Sequence, residues 1–291
     1  MEAMASQFAQ AGAVGAMDDR EFSRWVDLLE RRTGVVVPLD RKSFLVTGVR
    51  ARMREIGHAS FAQYFDGLLT GAKGAIEWAT LVDRLTVHQT HFFRHQPSFD
   101  LISRQWLPEY LAASPVGAVH AWSVGCSTGE EAYTLAIVLD ETIARISTEK
   151  RYFGITATDI SAPALSIGRS GTYSMAKLRE IPVGYRPAYC RVHETGDTFE
   201  VVPELRKRVG FVQFNLMDVA RSPLKRLDLI FCQNVLIYFA RERRGVLLEA
   251  LTELLKPGGL LVLGPGEVLG FVDPALSRIG GAQTLAYRRN R

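Results

Sequence analysis

The sequence predicts an all-helical N-terminal domain followed by a doubly wound α/β domain with a mainly parallel sheet. Residues 18–93 carry apolar residues at helical spacing, and in the first helix Phe22, Trp25 and Leu29 fall at i, i+3 and i+7. From residue 119 onward, helices alternate with apolar runs such as VHAWSV, YFGITATD and LDLIFCQN. Continuous apolar runs are typical of strands that are buried on both faces of a parallel sheet.

Changes in pattern along the chain predict the domain boundaries. We expect a flexible tail at 1–17, a helical domain at 18–93, a linker carrying one helix at 94–118 and the α/β domain at 119–291. The strand and helix alternation breaks at 186–205, where YCRVHETGDTFEVV predicts two short antiparallel strands around a Gly-Asp turn. The last stretch, FVDPALSRIGGAQTLAYRR, predicts a hairpin at the edge of the sheet.

Composition limits the class of protein. Hydrophobic residues make up 47% of the 291 residues and charged residues 23%, which is ordinary for a soluble domain. The net charge of +4 is only mildly basic and does not require a nucleic-acid partner. Cys126, Cys190 and Cys232 lack the CxxC spacing of a metal site, so we expect reduced thiols in a cytoplasmic protein without a metal.

The loop after the first strand raises the question of the ligand. Gly125 and Gly129 have GxxxG spacing, which is neither GxGxxG nor GxxxxGK[ST], and two acids, Glu130 and Glu131, follow directly. Acids at a helix N-terminus would compete with a phosphate for the positive end of the helix dipole. Two interpretations stay open: the acids complement the dipole, or they bind a cationic small molecule.

Polar residues also follow the later strands. Asp159 ends the second strand, where an acid either caps the next helix or accepts hydrogen bonds from both hydroxyls of a ribose. Asn215 and Asp218 follow the third strand and would face an adenine, while Asn234 and Tyr238 follow the fourth. A cationic ligand with a ribose and an adenine is S-adenosylmethionine.

The motif THFFR at 90–94 precedes the linker. Adjacent aromatics such as Phe92 and Phe93 are ordinarily core residues. Arg94 is harder to explain by packing, and it is suited to hold a carboxylate of a cofactor or of a substrate.

Together these motifs resemble the CheR-type chemotaxis methyltransferases, which methylate glutamate side chains of chemoreceptors. The motifs stand in the family's order across about 180 residues. They are THFFR (90–94), WSVGCSTGEEAYTLA (122–136), ATDIS (157–161), FNLMD (214–218), LIFCQNVLIYF (229–239) and LLKPGGLLVLGPGE (254–267).

The resemblance implies a Rossmann-like S-adenosylmethionine-dependent methyltransferase domain with a small antiparallel β-subdomain insertion, preceded by an all-helical domain. It implies S-adenosylmethionine as cofactor, S-adenosylhomocysteine as product and no metal. The implied partner is the cytoplasmic helical region of chemoreceptors and, in some members, a peptide tether at the receptor C-terminus. We expect a cytoplasmic monomer that neither inserts into membranes nor binds nucleic acid.

The resemblance also implies roles for single residues. Thr90 and Arg94 would contact the cofactor from the N-terminal side, Glu131 its amino group and Asp159 its ribose, with Tyr238 close by. From the expected reaction, we predict that Arg94 and Tyr238 orient the substrate glutamate as catalytic residues. The full set implied for cofactor binding is His88, Thr90, Arg94, Glu131, Asp159, Asn215, Leu216, Gln233 and Asn234. Asn215 and Leu216 would flank the adenine, and Gln233 and Asn234 would line the site near the sulfur.

Some positions depart from the family's pattern. His88 stands where many members have asparagine, Gln233 replaces a usual arginine, and GPGE stands in place of GHSE. Two alternatives therefore stay open: a methyltransferase acting on another substrate, and a non-catalytic sensor of S-adenosylmethionine or S-adenosylhomocysteine. On the second helix, Arg50, Arg52 and Arg54 suggest a receptor-docking surface as a hypothesis.

Overall fold

Contacts within the chain divide it into two units, Met1–Val87 and His88–Arg291. The computed structural model describes residues 16–113, 117–146, 151–268 and 270–290. Residues 1–15 of the predicted flexible tail lie outside the described residues. Met17, which was expected in that tail, is instead buried in the apolar core of the first unit.

The first unit is all-helical in its described residues, as predicted. Its helices are α1 (Asp19–Thr33), α2 (Lys42–Glu55), α3 (Phe61–Leu68) and α4 (Gly71–Leu85), with a 3-10 turn at Leu39–Arg41. A capping box begins α1, because the Asp18 carboxylate accepts a hydrogen bond from the Glu21 backbone N–H at 2.7 Å. The core of the unit centres on Trp25, whose ring meets the Phe65 ring edge-on at 5.1 Å.

Arg52 on α2 is held by an ion pair inside the first unit. Its Nε and one terminal nitrogen donate to the two carboxylate oxygens of Glu77 at 2.8 and 2.7 Å. The Tyr64 hydroxyl donates to the same carboxylate at 2.6 Å. This bidentate pair removes Arg52 from the docking hypothesis, whereas Arg54 is exposed.

The second unit is built on a mixed sheet of seven strands in the described residues, with the order β6-β2-β1-β7-β8-β10-β9. Its strands are β1 (Val119–Val124), β2 (Phe153–Asp159), β6 (Val209–Gln213), β7 (Leu227–Cys232), β8 (Leu255–Leu263), β9 (Leu276–Ile279) and β10 (Leu285–Arg289). The pairs from β6 to β8 are parallel. The last two strands form the predicted antiparallel hairpin at the sheet edge.

Helices cover both faces of this sheet, which gives the predicted Rossmann-like fold class. They are α5 (Gln96–Leu101), α6 (Leu107–Ala113), α7 (Glu130–Ile146), α8 (Ala162–Ser170), α9 (Met175–Leu178), α10 (Arg186–Tyr189), α11 (Pro203–Arg206) and α12 (Arg241–Leu254), and 3-10 turns lie at Leu216–Arg221 and Leu236–Tyr238. None of the helices in the described ranges has the length and hydropathy needed for a membrane span.

The segment expected to be a linker is part of the core of the second unit. A π-helical turn at Ile102–Trp106 joins α5 to α6. Trp106 is fully buried, and its indole N–H donates to the Gly258 carbonyl at 3.1 Å. The apolar residues of this segment therefore pack against the sheet and do not form a spacer between the units.

A small antiparallel sheet is inserted between β2 and β6. Its strands, in the order β3-β5-β4, are β3 (Thr172–Ser174), β4 (Cys190–Val192) and β5 (Thr198–Val201). The sequence predicts β4 and β5 but not β3, because three residues are too few for an alternating pattern.

The strand order places a crevice beside β1. The chain passes from β1 outward to β2 and β6, and then returns to β7 on the other side of β1. The loops that follow β1 and β7 therefore leave in opposite directions at the carboxyl end of the sheet, which is where ligands bind in open α/β folds.

Candidate functional site

The turn that follows β1 is built for close approach to the segment that follows β7. Gly125 has a φ of 67°, and a Cβ atom there would lie 2.4 Å from the Val235 Cγ2 atom. Only glycine satisfies both the left-handed conformation and this contact. Ser127 in the same turn also has a positive φ, of 51°, which costs energy and therefore needs support from its neighbours.

Asp159 supplies that support. One of its carboxylate oxygens accepts a hydrogen bond from the Ser127 N–H at 2.8 Å, and the other accepts one from the Ser161 N–H at 2.9 Å. Burial raises the pKa of Asp159, and these hydrogen bonds lower it in part. Ser161, not Asp159, caps α8 by accepting from the Ala164 N–H at 3.0 Å. The Ile160 backbone also contributes a hydrogen bond that lowers this pKa. A carboxylate has about four acceptor sites, so Asp159 keeps capacity for a further donor.

The two acids at the start of α7 have different environments. Glu130 is 2% exposed, and its carboxylate accepts from the Thr128 hydroxyl at 2.6 Å and pairs with the Lys177 Nζ at 3.2 Å. Glu131 accepts from the Ser123 hydroxyl at 2.7 Å and makes no ion pair with any described residue. Glu130 therefore serves the fold, whereas an ionised Glu131 would carry a charge that no ion pair with a described residue balances.

The pKa of Glu131 reflects this lack of balance. Burial raises it to about 8, the hydrogen bond from Ser123 lowers it, and the charge of Glu267 adds to the rise. The positive charge of Arg94 lowers it only in part. With a pKa of about 8, Glu131 is largely protonated near pH 7.

The segment that carries the THFFR motif is fixed by the base of the small subdomain. Lys177 donates to the Thr90 carbonyl, and the Glu180 carboxylate accepts from the Phe92 N–H at 2.9 Å. His91 Nδ1 lies 2.9 Å from the other oxygen of Glu180. The Ser127 hydroxyl donates to the His88 carbonyl at 3.4 Å, so the start of this segment meets the turn after β1.

The aromatic residues of the THFFR motif pack in the core, as expected for two adjacent aromatic side chains. Phe92 meets Tyr173 edge-on at 5.1 Å, and Phe93 stacks on Tyr185 at 5.6 Å. Arg94 is exposed, and one terminal nitrogen donates to the Gln89 carbonyl at 2.9 Å. Its remaining N–H groups are suited to a carboxylate.

The residues after β6 and β7 are held by hydrogen bonds and burial. Asn215 begins the 3-10 turn after β6 by accepting from the Met217 N–H at 3.1 Å, and Leu216 is buried beside it. Asn234 has a φ of 61°, a conformation that asparagine tolerates better than most residues. Gln233 is 5% exposed and donates to Ser98 and to the Leu263 carbonyl. Tyr238 is partly buried at the end of its 3-10 turn.

Sequence reasoning missed two residues of this region. Glu267 is buried and accepts from the Val235 N–H at 2.8 Å and the Gly264 N–H at 2.6 Å, so it joins the loops after β7 and β8. An acid shortly after the buried strand β8 was the available signal for Glu267. Nothing in the local sequence marks Lys177, because its partners Thr90 and Glu130 are distant in the chain.

The carboxyl ends of β1, β2, β7 and β8 thus gather carboxylates around a glycine turn. The charges of Glu267 and Asp159 both raise the pKa of Glu131. Within the described ranges, no group of three or more His, Cys, Asp or Glu residues is arranged to hold a metal ion. Asp159 and Glu131 are thus hydrogen-bond acceptors at the carboxyl end of the sheet, which is where ligands bind in open α/β folds.

This fold and this site define a Rossmann-like nucleoside-binding domain of the class to which S-adenosylmethionine-dependent methyltransferases belong. The chain belongs to the CheR family. Residues 88–283 match the family model described as "CheR methyltransferase, SAM binding domain", and residues 20–86 match "CheR methyltransferase, all-alpha domain".

Known relatives agree with this assignment. The chain is 31% identical to the chemotaxis protein methyltransferase of Borreliella burgdorferi over 254 residues, which cover 86% of this chain and 88% of the relative. It is 32% identical to chemotaxis protein methyltransferase 2 of Pseudomonas aeruginosa over 250 residues, covering 85% and 86%. The predicted family and fold class are therefore confirmed.

Proposed function

We propose that this protein transfers the methyl group of S-adenosylmethionine to glutamate side chains of chemoreceptors, on their cytoplasmic helical region. The observation that carries the proposal is Glu131, a carboxylate without an ion pair among the described residues at the carboxyl end of the sheet. The names of the sequence relatives, chemotaxis protein methyltransferases, support the receptor as substrate.

In this proposal the residues predicted from sequence hold the cofactor, which supplies an electrophilic methyl group on a positively charged sulfur. Glu131 takes the amino group, and Asp159 takes the ribose with its remaining acceptor capacity. The other residues of the proposed cofactor site are His88, Thr90, Arg94, Asn215, Leu216, Gln233 and Asn234.

The substrate side of the site needs little chemistry from the protein. A glutamate side chain has a pKa of about 4.3, so the nucleophile is already ionised at neutral pH and no general base is required. Arg94 and Tyr238 are proposed to orient that carboxylate. Alignment of two bound reactants is by itself a large source of rate acceleration, and Arg94 has free N–H donors for the task.

Finer features belong to the same proposal. We propose that the protein acts as a cytoplasmic monomer and that the small sheet formed by β3, β5 and β4 docks on a peptide tether at the receptor C-terminus. Binding of a synthetic receptor C-terminal peptide to the purified protein, measured by calorimetry, tests the tether. A protein that methylates receptor without binding the peptide would contradict that part alone.

Transfer of labelled methyl groups tests the main proposal. The purified protein is incubated with methyl-labelled S-adenosylmethionine and with membranes rich in chemoreceptors, and base-labile label on the receptor is measured. Methyl esters release their label in base, so we expect base-labile receptor label with the wild type and none with Asp159→Ala. Cofactor binding without transfer would refute the enzymatic proposal and favour a sensor. Base-stable label, or label on another molecule, would indicate a different substrate.

A further inference from the structure

Gln233 lies at the carboxyl end of β7, beside the crevice. Phe231, two residues earlier, stacks its ring on Phe99 of α5 at 5.1 Å. The Gln233 amide donates to Ser98 of the same helix, so Gln233 also lies under α5. Its side chain is almost wholly buried in the described structure.

Both amide hydrogens of Gln233 are used inside the protein. Its Nε2 donates to the Leu263 carbonyl at 2.9 Å and to the Ser98 hydroxyl oxygen at 2.9 Å. A backbone carbonyl can only accept, so the nitrogen of the side chain must face Leu263. The reversed amide would bring two acceptors together, and the orientation of the Gln233 carbonyl is fixed as a result.

Ser98 and His95 continue the same network. Ser98 is 0% exposed, and its hydroxyl oxygen lies 2.8 Å from His95 Nδ1. This oxygen accepts from Gln233, and we assign its own hydrogen to His95 Nδ1, with the ring proton of His95 on Nε2. Burial lowers the pKa of His95, which keeps the ring neutral and able to accept.

The remaining polar atom of Gln233 is its carbonyl oxygen, Oε1. None of the described residues donates a hydrogen bond to it. One acid of the site is close, because Glu267 accepts from the Gly264 N–H and the carbonyl of the same peptide group, that of Leu263, accepts from Gln233. Glu267 also accepts from the N–H of Val235, two residues after Gln233. A fixed carbonyl oxygen near this carboxylate is suited to a cation.

We propose that Gln233 presents its carbonyl oxygen to the sulfonium of S-adenosylmethionine, and that Ser98 and His95 are positioning residues that hold the amide in this orientation. The inference rests on the proposed function, because it assumes this cofactor at this site. It assigns Gln233 a specific task, discrimination between the positively charged cofactor and the product S-adenosylhomocysteine, whose sulfur is neutral.

The physical basis is a dipole that is already oriented before the ligand binds. The oxygen end of an amide attracts a positive sulfur and the polarised C–H groups attached to it. Loss of the methyl group removes the charge and leaves the nucleoside and amino acid unchanged. The Gln233 carbonyl should therefore strengthen binding of the cofactor and not of the product.

Calorimetric titration of the same variant with both ligands tests the inference without any measurement of activity. In Gln233→Met, which keeps the length of the side chain, we expect the dissociation constant for S-adenosylmethionine to rise about tenfold. The constant for S-adenosylhomocysteine should change by less than about twofold, because its sulfur is neutral. The ratio of the two constants is insensitive to a general loosening of the site.

Variants of the positioning residues refine the test. Ser98→Ala should shift the ratio in the same direction by about threefold, because the amide then keeps only the Leu263 carbonyl as an anchor. His95→Leu should shift the ratio in the same direction. His95→Asn should keep the wild-type ratio, because its side-chain oxygen replaces the Nδ1 acceptor. Gln96→Met is the matched control: Gln96 is exposed and donates to Asp100 at 2.8 Å, and the ratio should not change.

Equal weakening of both ligands in Gln233→Met would overturn the inference and leave Gln233 a purely structural residue. An unchanged ratio in both Ser98→Ala and His95→Leu would remove the positioning role. Failure of the wild type to bind either ligand would refute the proposed function instead, so the two failures are distinguishable.

Discussion

Carboxylates near the two ends of β7 have different environments. Near the amino end, Asp228 is 1% exposed and pairs with the Lys256 Nζ at 2.7 Å. The same carboxylate accepts from the Tyr110 hydroxyl and from the His120 N–H. At the carboxyl end, Glu131, like Asp159 and Glu267, makes no ion pair with any residue that the structure describes.

We propose that the difference separates a structural charge from carboxylates that bind a ligand. A buried carboxylate with a lysine and two further donors is compensated within the fold. Carboxylates in a crevice whose pKa values are raised by burial are typical of functional sites. Burial is the largest cause of the raised pKa in Glu131, Asp159 and Glu267 alike.

The largest expected effect concerns the amino end. Asp228→Ala leaves the Lys256 ammonium, the Tyr110 hydroxyl and the His120 N–H without their shared partner. We expect the free energy of unfolding to fall by about 3–5 kcal/mol, as for other broken buried ion pairs. Urea unfolding measures this, and cofactor affinity of the folded fraction should not change. A loss below about 1 kcal/mol would show that the pair is not structural.

The matching change at the carboxyl end should act on binding. Glu131→Gln keeps an acceptor for the Ser123 hydroxyl but removes the charge, so S-adenosylmethionine should bind about 10- to 100-fold more weakly in a calorimetric titration. The variant should be at least as stable as the wild type. Its neighbour provides the control, since Glu130→Gln breaks the pair with Lys177 and should reduce stability more than affinity. The reverse pattern would contradict the distinction between the two acids.

The free energy of unfolding should depend on pH because of the carboxylates at the carboxyl end of the sheet. Glu131 has a pKa raised from 4.5 to about 8, and the pKa values of Asp159 and Glu267 are also raised. Between the unfolded-state pKa of Glu131 and its raised pKa in the folded state, the folded protein binds more protons than the unfolded chain. The free energy of unfolding should therefore fall as the pH rises from about 5 to 8. Urea unfolding across that range should give a flatter profile for Glu131→Gln. An equal slope in both proteins would exclude Glu131 as a source.

The smallest effect is expected at the base of the small subdomain. Lys177→Met removes the ammonium that joins the Thr90 carbonyl to Glu130, so the segment carrying Thr90 loses one anchor. Affinity for S-adenosylmethionine should fall about threefold. Lys207→Met, at an exposed position, serves as the control and should have no effect. Unchanged affinity in Lys177→Met would show that the remaining contacts of Glu180 suffice.

The sequence predicted which strand ends form the site, but not which side chains pair with each other there. Strand ends were readable because buried runs end at Gly125, Asp159 and Gln233, and parallel strands bring their carboxyl ends together. The local sequence pattern does not show that Glu130 has an ion pair and Glu131 has none. That difference depends on Lys177, a residue distant in the chain.

Two further misses have the same origin. The orientation of Gln233 depends on Ser98 and Leu263, which lie 135 and 30 residues away. The segment at 94–118 was expected to be a linker because a Pro/Gly stretch ends it, yet tertiary packing buries Trp106 completely. Contacts between distant residues are set by the fold, and one sequence does not display them.

Proton release on cofactor binding tests the central claim most directly. Calorimetric titration with S-adenosylmethionine at pH 6.5, in two buffers of different ionisation enthalpy, gives the number of protons exchanged. At that pH the α-amino group of the ligand, with a pKa of about 8, is already charged. Glu131, also with a pKa of about 8, is mostly protonated before binding.

If Glu131 ionises to meet the cation, the wild type releases close to one proton and Glu131→Gln releases close to none. Equal release by both proteins, or tight binding by the wild type with no release, would contradict the claim that Glu131 is the charge kept for the cofactor.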